Sequence, residues 1–317
     1  MKLVINIPCF NEENTLPLVL KEIPKKITGI KSIEVQIVDD GSTDRTCEIA
    51  KKYNCRVIKH KHNCGLGIAF KTGMEAALEN GADIFVNTDA DNQYPCSYIA
   101  DLIKPVMENN ADLVIGDRQT WSVHHFSFLK KILQWVGSYF VRLLTQTEVP
   151  DTVSGFRAYS RDAMLRLNVT TKFSYVLDTI MQCRRKNLRI LSVPIQINSP
   201  TRPSRLFKNM FQHIRKSGFN LIRLYVIYKP LPTFILASFI TFIPAGILII
   251  RFMYYFLTVD GRGHIQSLIA SAIIINVCVM LIALGIIGEI IGVSRILTEE
   301  HLYFQKKQYY AEKIKKG

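Results

Sequence analysis

The chain has 317 residues, 48% of them hydrophobic, with 40 Lys and Arg against 26 Asp and Glu and a formal charge of +14. This hydrophobic content is typical of a folded protein, while the length alone leaves open one large domain or two ordinary ones. Its seven cysteines form no C-x-x-C pair, which argues against a zinc ribbon or disulfide framework and for free thiols in a reducing cytosol.

MKLVINIPCFNEE holds only a short apolar run before it turns acidic, so no signal peptide is expected. LVINIP reads as a strand, with a helix from about Glu12. EVQIVDD, CRVIKH and ADIFVNTDA read as three more strands, followed by helices from Thr43, from Ile68 and from about Cys96. ADLVIGDR gives a fifth strand. Strands alternating with helices predict an α/β fold with a mainly parallel sheet and helices on both faces. Continuous apolar runs such as VQIV and IFV fit strands buried on both sides.

Ligands of such sheets bind beyond the carboxyl ends of the strands. The unusual polar residues fall there: Pro8 to Glu12, Asp39 to Asp44, Asp89 to Gln93 and Gly116 to Arg118. In GSTDRT, Ser42 or Thr43 is expected to cap the next helix. That leaves the adjacent carboxylates Asp39 and Asp40 unexplained. GLGIAFKTG starts like a dinucleotide fingerprint but has Phe70 where the third glycine belongs, and its glycines are expected to serve a tight loop and close helix packing. HKH, His60 to His62, reads as a solvated strand end. In NTDADNQYP, Asp89 and Asp91 stand two residues apart and point to one side if strand geometry continues. A pair of this kind suits a hard cation, Mg2+ or Mn2+, that takes its other ligands from water and a diphosphate.

Further along, Trp121 to Leu144 is amphipathic and basic, and KFSYVLDTIMQCRRKNLRILSVPIQI reads as helix, turn and strand. From Thr179 to Pro230 there are eleven Lys or Arg and no acid, interleaved toward the end with Phe207, Phe211, Phe219 and Ile222, a mixture that suits helices lying in a membrane surface. Thr233 to Ile250 and Ser267 to Ile287 are then apolar blocks close to the roughly 20 residues needed to cross a bilayer. Joined by a short loop, they predict a transmembrane hairpin with both flanks on one side. The positive-inside rule puts those flanks, and both termini, in the cytoplasm. The expected organisation is an α/β domain over 1–200, interfacial helices over 201–230, two transmembrane helices over 231–292 and a basic tail over 293–317. Positive charge peaking beside the apolar blocks favours anionic lipid over nucleic acid as its partner.

PCFNEENTL, VDDGSTDRT, NTDADNQYP, IGDR and DTVSGFRAYS occur in this order ahead of the apolar blocks. Together they resemble the GT-A (Rossmann-like) fold of family 2 glycosyltransferases, and specifically the polyprenyl-phosphate sugar synthases. The resemblance covers roughly residues 3 to 205. It implies a nucleotide-binding role for Pro8, Phe10, Glu12, Asp39 and Asp40, with Phe10 standing where a tyrosine is more usual. It also implies metal ligation by Asp89, Asp91 and Gln93, a place for Arg118 near the phosphates and one for Asp178 near the transferred sugar. The acceptor phosphate would meet Lys130, Lys131 and Ser138 in the basic segment, and Arg202 and Arg205 near the membrane. The expected reaction is inverting, metal-dependent transfer of a hexose-type sugar from a UDP- or GDP-linked donor to a polyprenyl phosphate at the cytoplasmic membrane. The sugar, the base, the lipid and the oligomeric state stay open. The alternatives are a transferase with a non-lipid acceptor, using Asp151 or Asp178 as base, and a non-catalytic membrane scaffold.

Overall fold

The computed structural model describes residues 1–119, 138–139, 142, 149–169, 175–199, 218–219, 222–223, 225–258 and 265–316. The chain divides into two units, Met1–Lys208 with Glu299–Gly317, and Asn209–Thr298.

The first unit is built on strands β1 (Lys2–Cys9), β2 (Ser32–Asp39), β3 (Arg56–Lys59), β4 (Ile84–Asn87), β5 (Leu113–Asp117), β6 (Arg157–Ser160) and β7 (Ile190–Pro194). Among the described residues they form one sheet of order β3-β2-β1-β4-β6-β5-β7. All pairings are parallel except those of β6, which runs against both β4 and β5. Helices α1 (Leu16–Glu22), α2 (Thr46–Lys52), α3 (Leu66–Glu79), α4 (Ile99–Met107), α5 (Arg161–Arg166) and α6 (Tyr175–Arg185) accompany the sheet, and a 3-10 turn at Cys96–Tyr98 leads into α4.

Alternate strand residues feed two cores, as the two-residue period of a strand requires. Leu3, Ile5, Ile7, Ile84 and Val86 pack with Leu16 and Val19 of α1 and Leu102 and Ile103 of α4. On the other face, Val4, Phe85 and Leu113 pack with Phe70 and Met74 of α3, Met164 of α5 and Ile180 of α6. Burial on both faces is why these strands read as continuous apolar runs.

One polar row crosses this apolar sheet. Gln36, Asn6, Asn87 and Arg157 stand in register on β2, β1, β4 and β6. Gln36 Nε2 donates to Asn6 Oδ1 at 2.9 Å and to the Gly73 carbonyl at 2.6 Å, while Asn6 Nδ2 donates to Asn87 Oδ1 at 2.8 Å. The close approach of α3 depends on glycine, since a Cβ at Gly73 would overlap the Asn6 amide, with Nδ2 only 2.8 Å away. Gly73→Ala should therefore destabilise the protein by about 1–3 kcal/mol, the usual cost of overpacking. A drop in the thermal unfolding midpoint in detergent is the readout, and an unchanged midpoint would contradict this packing.

Several local expectations are corrected. Helix α2 begins at Thr46, and Ser42 and Thr43 do not cap it. Ser42 Oγ accepts the Asn11 N–H at 2.9 Å and the Thr43 N–H donates to Asn11 Oδ1 at 2.8 Å, so both tie the β2 loop to the β1 loop. Asp44 takes the capping part, accepting the Thr46 N–H at 3.0 Å. His60 is not a solvated strand end, for its ring bridges Asp40 Oδ1 at 2.7 Å and Thr72 Oγ1 at 3.0 Å. All seven cysteines are free.

Residues from Glu299 onward belong to the first unit and are helical to Lys316. Tyr303, Lys306, Tyr310 and Lys313, three or four residues apart, share one helix face. Tyr303 donates to Asp162 Oδ1 at 2.8 Å under the Arg166 guanidinium, Lys306 reaches Asn168 Oδ1 at 2.7 Å and Lys313 pairs with Glu79 at 2.9 Å. Tyr310 is buried in the α3 core, and Glu299 pairs with Lys186 at 2.9 Å.

The second unit holds α7 (Pro230–Thr258) and the first part of α8 (Ile265–Lys316). Both are long and apolar enough to cross a bilayer, with only 11% and 17% of their most apolar stretches buried. Gly285 and Gly288 of α8 face Phe234, Leu231 and Pro230 of α7 closely enough that a Cβ at Gly288 would lie 2.7 Å from Pro230. Small residues at such a contact are what lets apolar helices approach. Ser238 Oγ donates to the Cys278 carbonyl across the pair at 3.1 Å. The outward faces carry large apolar side chains such as Phe239 and Ile250, exposed at 66% and 70%, more than an aqueous surface tolerates in one patch.

Candidate active site

The carboxyl ends of β1 and β2 lie side by side, with Cys9 opposite Asp39. Pro8 is half-buried near the end of β1 and Phe10 is exposed just beyond it. Glu12 is buried, its backbone N–H donating to Thr46 Oγ1 at 2.9 Å and its carboxylate accepting from Thr15 Oγ1 at 2.7 Å. Asp39 is fully buried and accepts from the Ser42 N–H at 3.2 Å and the Cys47 thiol at 3.1 Å. Burial, and then this hydrogen bond to a carboxylate, push the Cys47 thiol up to about 11.

Asp40 faces a different set. It accepts the N–H groups of Cys64 and Gly65, each at 2.9 Å, besides the His60 ring. Gly65, at φ +94°, permits this loop geometry. Asp40, His60 and Cys64 bring three ligand-type atoms within 4.8 Å of one another, but the hydrogen bonds already account for the arrangement as an anchor of the β3–α3 loop.

Asp89 and Asp91 follow β4 as half-buried side chains, separated by the buried Ala90. Asn92 adopts φ +58°, and Asp91 Oδ1 accepts the Gln93 N–H at 3.1 Å, so the carboxylates are held by a tight turn. Asn198 fastens that turn, donating from Nδ2 to the Asn92 carbonyl at 2.9 Å and from its N–H to the Gln93 carbonyl at 3.0 Å. Gly155, in the approach to β6, lies under Asp89, since a Cβ there would sit 3.1 and 3.2 Å from the two carboxylate oxygens. Two half-buried hard oxygen donors on a braced turn fit a hard divalent cation.

Arg118, at the end of β5, and Asp151 form a buried bidentate pair, with Nε to Oδ2 at 2.5 Å and Nη2 to Oδ1 at 2.9 Å. Burial alone would raise the Asp151 carboxyl, but the guanidinium outweighs it and holds Asp151 below the usual carboxylate range. Asp151 is consequently a poor general base. Ser138 is buried and accepts from Thr152 Oγ1 at 3.3 Å, one residue from this pair. Asp178 is buried on α6, one turn beyond Tyr175. Lys130, Lys131, Arg202 and Arg205 lie outside the described residues.

Two features of the site were not foreseen. Arg157 is fully buried and donates to the carbonyls of Ser154, Val176 and Thr152 at 2.8–3.0 Å and to Thr179 Oγ1 at 2.9 Å, so it ties the segment before β6 to α6. Tyr175 stacks on Phe70 at 3.8 Å, and its hydroxyl joins Asn87 to the Gly155 carbonyl. The Arg of SGFR is the available signal, but its partners are three backbone oxygens and the Thr179 hydroxyl, which no sequence pattern marks.

A parallel sheet with one reversed strand beside the D-x-D strand defines the GT-A class of glycosyltransferase. The same fold occurs in glucosyl-3-phosphoglycerate synthase of Mycobacterium tuberculosis, solved with Mn2+, uridine diphosphate and phosphoglyceric acid (TM-score 0.55, 19% identity, 71% of this chain and 77% of that one). The chain belongs to glycosyl transferase family 2, whose model matches residues 4–167. Among its relatives are an uncharacterized protein of Methanocaldococcus jannaschii (32% identity, 62% of this chain and 81% of the relative) and the undecaprenyl-phosphate mannosyltransferase of Micrococcus luteus (28%, 62% and 83%). Similar too is the UDP-N-acetylglucosamine–dolichyl-phosphate N-acetylglucosaminyltransferase of Methanococcus voltae (30%, 60% and 83%).

Proposed function

We propose that the protein transfers a hexose-type sugar, with inversion, from a UDP- or GDP-linked donor to a polyprenyl phosphate at the cytoplasmic membrane. The observation that carries this reading is a family 2 domain with an intact carboxylate edge in one chain with two outward-apolar helices. Relatives named for undecaprenyl- and dolichyl-phosphate acceptors support it.

In this reading Pro8, Phe10, Glu12, Asp39 and Asp40 receive the base and ribose, and Asp40 also fixes the loop beside them. Asp89, Asp91 and Gln93 would hold Mg2+ or Mn2+, which when bound neutralises the diphosphate as it leaves. Arg118 is held by Asp151 near the phosphates, and Asp178 is placed near the sugar. Lys130, Lys131, Ser138, Arg202 and Arg205 receive the acceptor phosphate. A phosphate monoester with a second pKa of about 6 is largely dianionic at neutral pH, so it attacks the anomeric carbon without a protein base. The tethering of Asp151 by Arg118 supports this base-free reading. The protein's main work is then alignment of two anions that repel each other. The organisation proposed is a catalytic domain over 1–200, interfacial helices over 201–230 and a hairpin over 231–292, with cytoplasmic flanks.

Purified protein in detergent, given a short polyprenyl phosphate, Mg2+ or Mn2+ and a panel of UDP and GDP sugars, should release nucleoside diphosphate with one donor only when the lipid is present. Equal release with a soluble acceptor and none with the lipid would overturn the acceptor assignment.

A further inference from the structure

We propose that Tyr175 and Tyr94 are positioning residues for the Asp89 carboxylate, acting through the two peptide groups that flank Gly155; this rests on the reading of Asp89 as a cation ligand. The two tyrosines hold one residue on either side of its Cα, each through a different peptide group. The Gly155 N–H donates to the Tyr94 hydroxyl at 3.2 Å, and its carbonyl accepts from the Tyr175 hydroxyl at 3.1 Å and from Asn87 Nδ2 at 3.3 Å. Asn87 Nδ2 also donates to the Tyr175 oxygen at 2.8 Å, so the phenol both accepts and donates. Through Asn6 and Gln36 this chain of hydrogen bonds continues to α3.

The rings themselves are fixed. Tyr175 lies parallel to Phe70 at 3.8 Å and 2°, and Tyr94 stacks on Phe156 at 5.5 Å and 18°. Burial pushes the Tyr94 phenol up to about 12 and the Tyr175 phenol well above its usual value, so both stay neutral partners. Phenylalanine would fill the same apolar space. What the hydroxyls add is a hold on both peptide groups of the residue beneath the Asp89 oxygens, where a Cβ would crowd the carboxylate. Ligand atoms need placement within about 0.5 Å, and groups behind the ligands supply it.

The test is Mn2+ binding, followed by electron paramagnetic resonance with UDP and in parallel with GDP, for Tyr175→Phe, Tyr94→Phe, Asp89→Asn and Tyr159→Phe. Tyr159 supplies a control hydroxyl, fully buried in the same aromatic cluster. Tyr175→Phe and Tyr94→Phe should each weaken Mn2+ binding by about 10–100-fold, the range for residues that orient metal ligands, while Tyr159→Phe binds like wild type. If both variants bind Mn2+ like wild type while Asp89→Asn binds weakly, the positioning role is wrong and the cation reading stands. If Asp89→Asn also binds like wild type, the cation reading falls and this inference with it. Should Tyr175→Phe not fold, Tyr94→Phe carries the same test from the other side of Gly155.

Discussion

Replacement of Asp91 by asparagine is expected to lower kcat/KM by about 1,000-fold, which corresponds to about 4 kcal/mol of lost transition-state stabilisation. The substitution isolates charge from shape. Asp91 is half-buried, and its Oδ1 accepts the Gln93 N–H, a bond that an asparagine oxygen can keep. The turn through Asn92 and the anchoring by Asn198 do not involve the exchanged group. The loss should therefore appear in activity and not in the unfolding midpoint, and the metal concentration needed for half-maximal rate should rise. Unchanged activity together with unchanged metal dependence would remove the carboxylate pair from the mechanism and favour a scaffold.

The second large effect is expected at the Arg118–Asp151 pair. Asp151→Ala leaves a buried guanidinium without its carboxylate and should cost about 3–5 kcal/mol of stability, whereas replacing both residues by apolar ones of similar volume should recover most of that loss. The pair also sets a pH dependence. The Asp151 carboxyl is depressed in the folded state, so its contribution is fully present above the unfolded value of about 3.9 and is lost as pH falls through the lower folded value. Thermal midpoints should be insensitive to this group at neutral pH and fall in acid below about pH 4, with the acid-sensitive part missing in Asp151→Asn. An identical acid profile in that variant would show that other carboxylates dominate.

Much of the first unit was legible because its strands are buried on both faces, which leaves apolar runs such as VQIV and IFV in plain view. The strand edge was legible too, since carboxylates and glycines stand out against such runs. Strand β6 carries no clear mark: RAYS is short, and it opens on an arginine whose partners are three carbonyl oxygens and the Thr179 hydroxyl. The row from Gln36 to Arg157 was invisible for a related reason, because register between strands distant in sequence decides which polar groups meet. Ser42 and Thr43 misled because a hydroxyl that suits a helix cap suits a loop-to-loop bond equally well. The residues after the second apolar block read as a charged tail because lysine dominates them. Their docking face becomes apparent only when Tyr303 and Tyr310 are seen two helical turns apart against a partner surface.

That docking face gives the protein a folding order. Tyr310 completes a core whose other buried members, Phe70, Met74 and Ile180 among them, come from the first 188 residues. During synthesis those members emerge first, and the C-terminal part of α8 that covers them emerges only after both apolar stretches. At about 5–20 residues per second, the interval between residue 208 and residue 314 lasts about 5–20 s. Until then the second core lacks Tyr310, so the first unit has all its members only once the apolar stretches have been made.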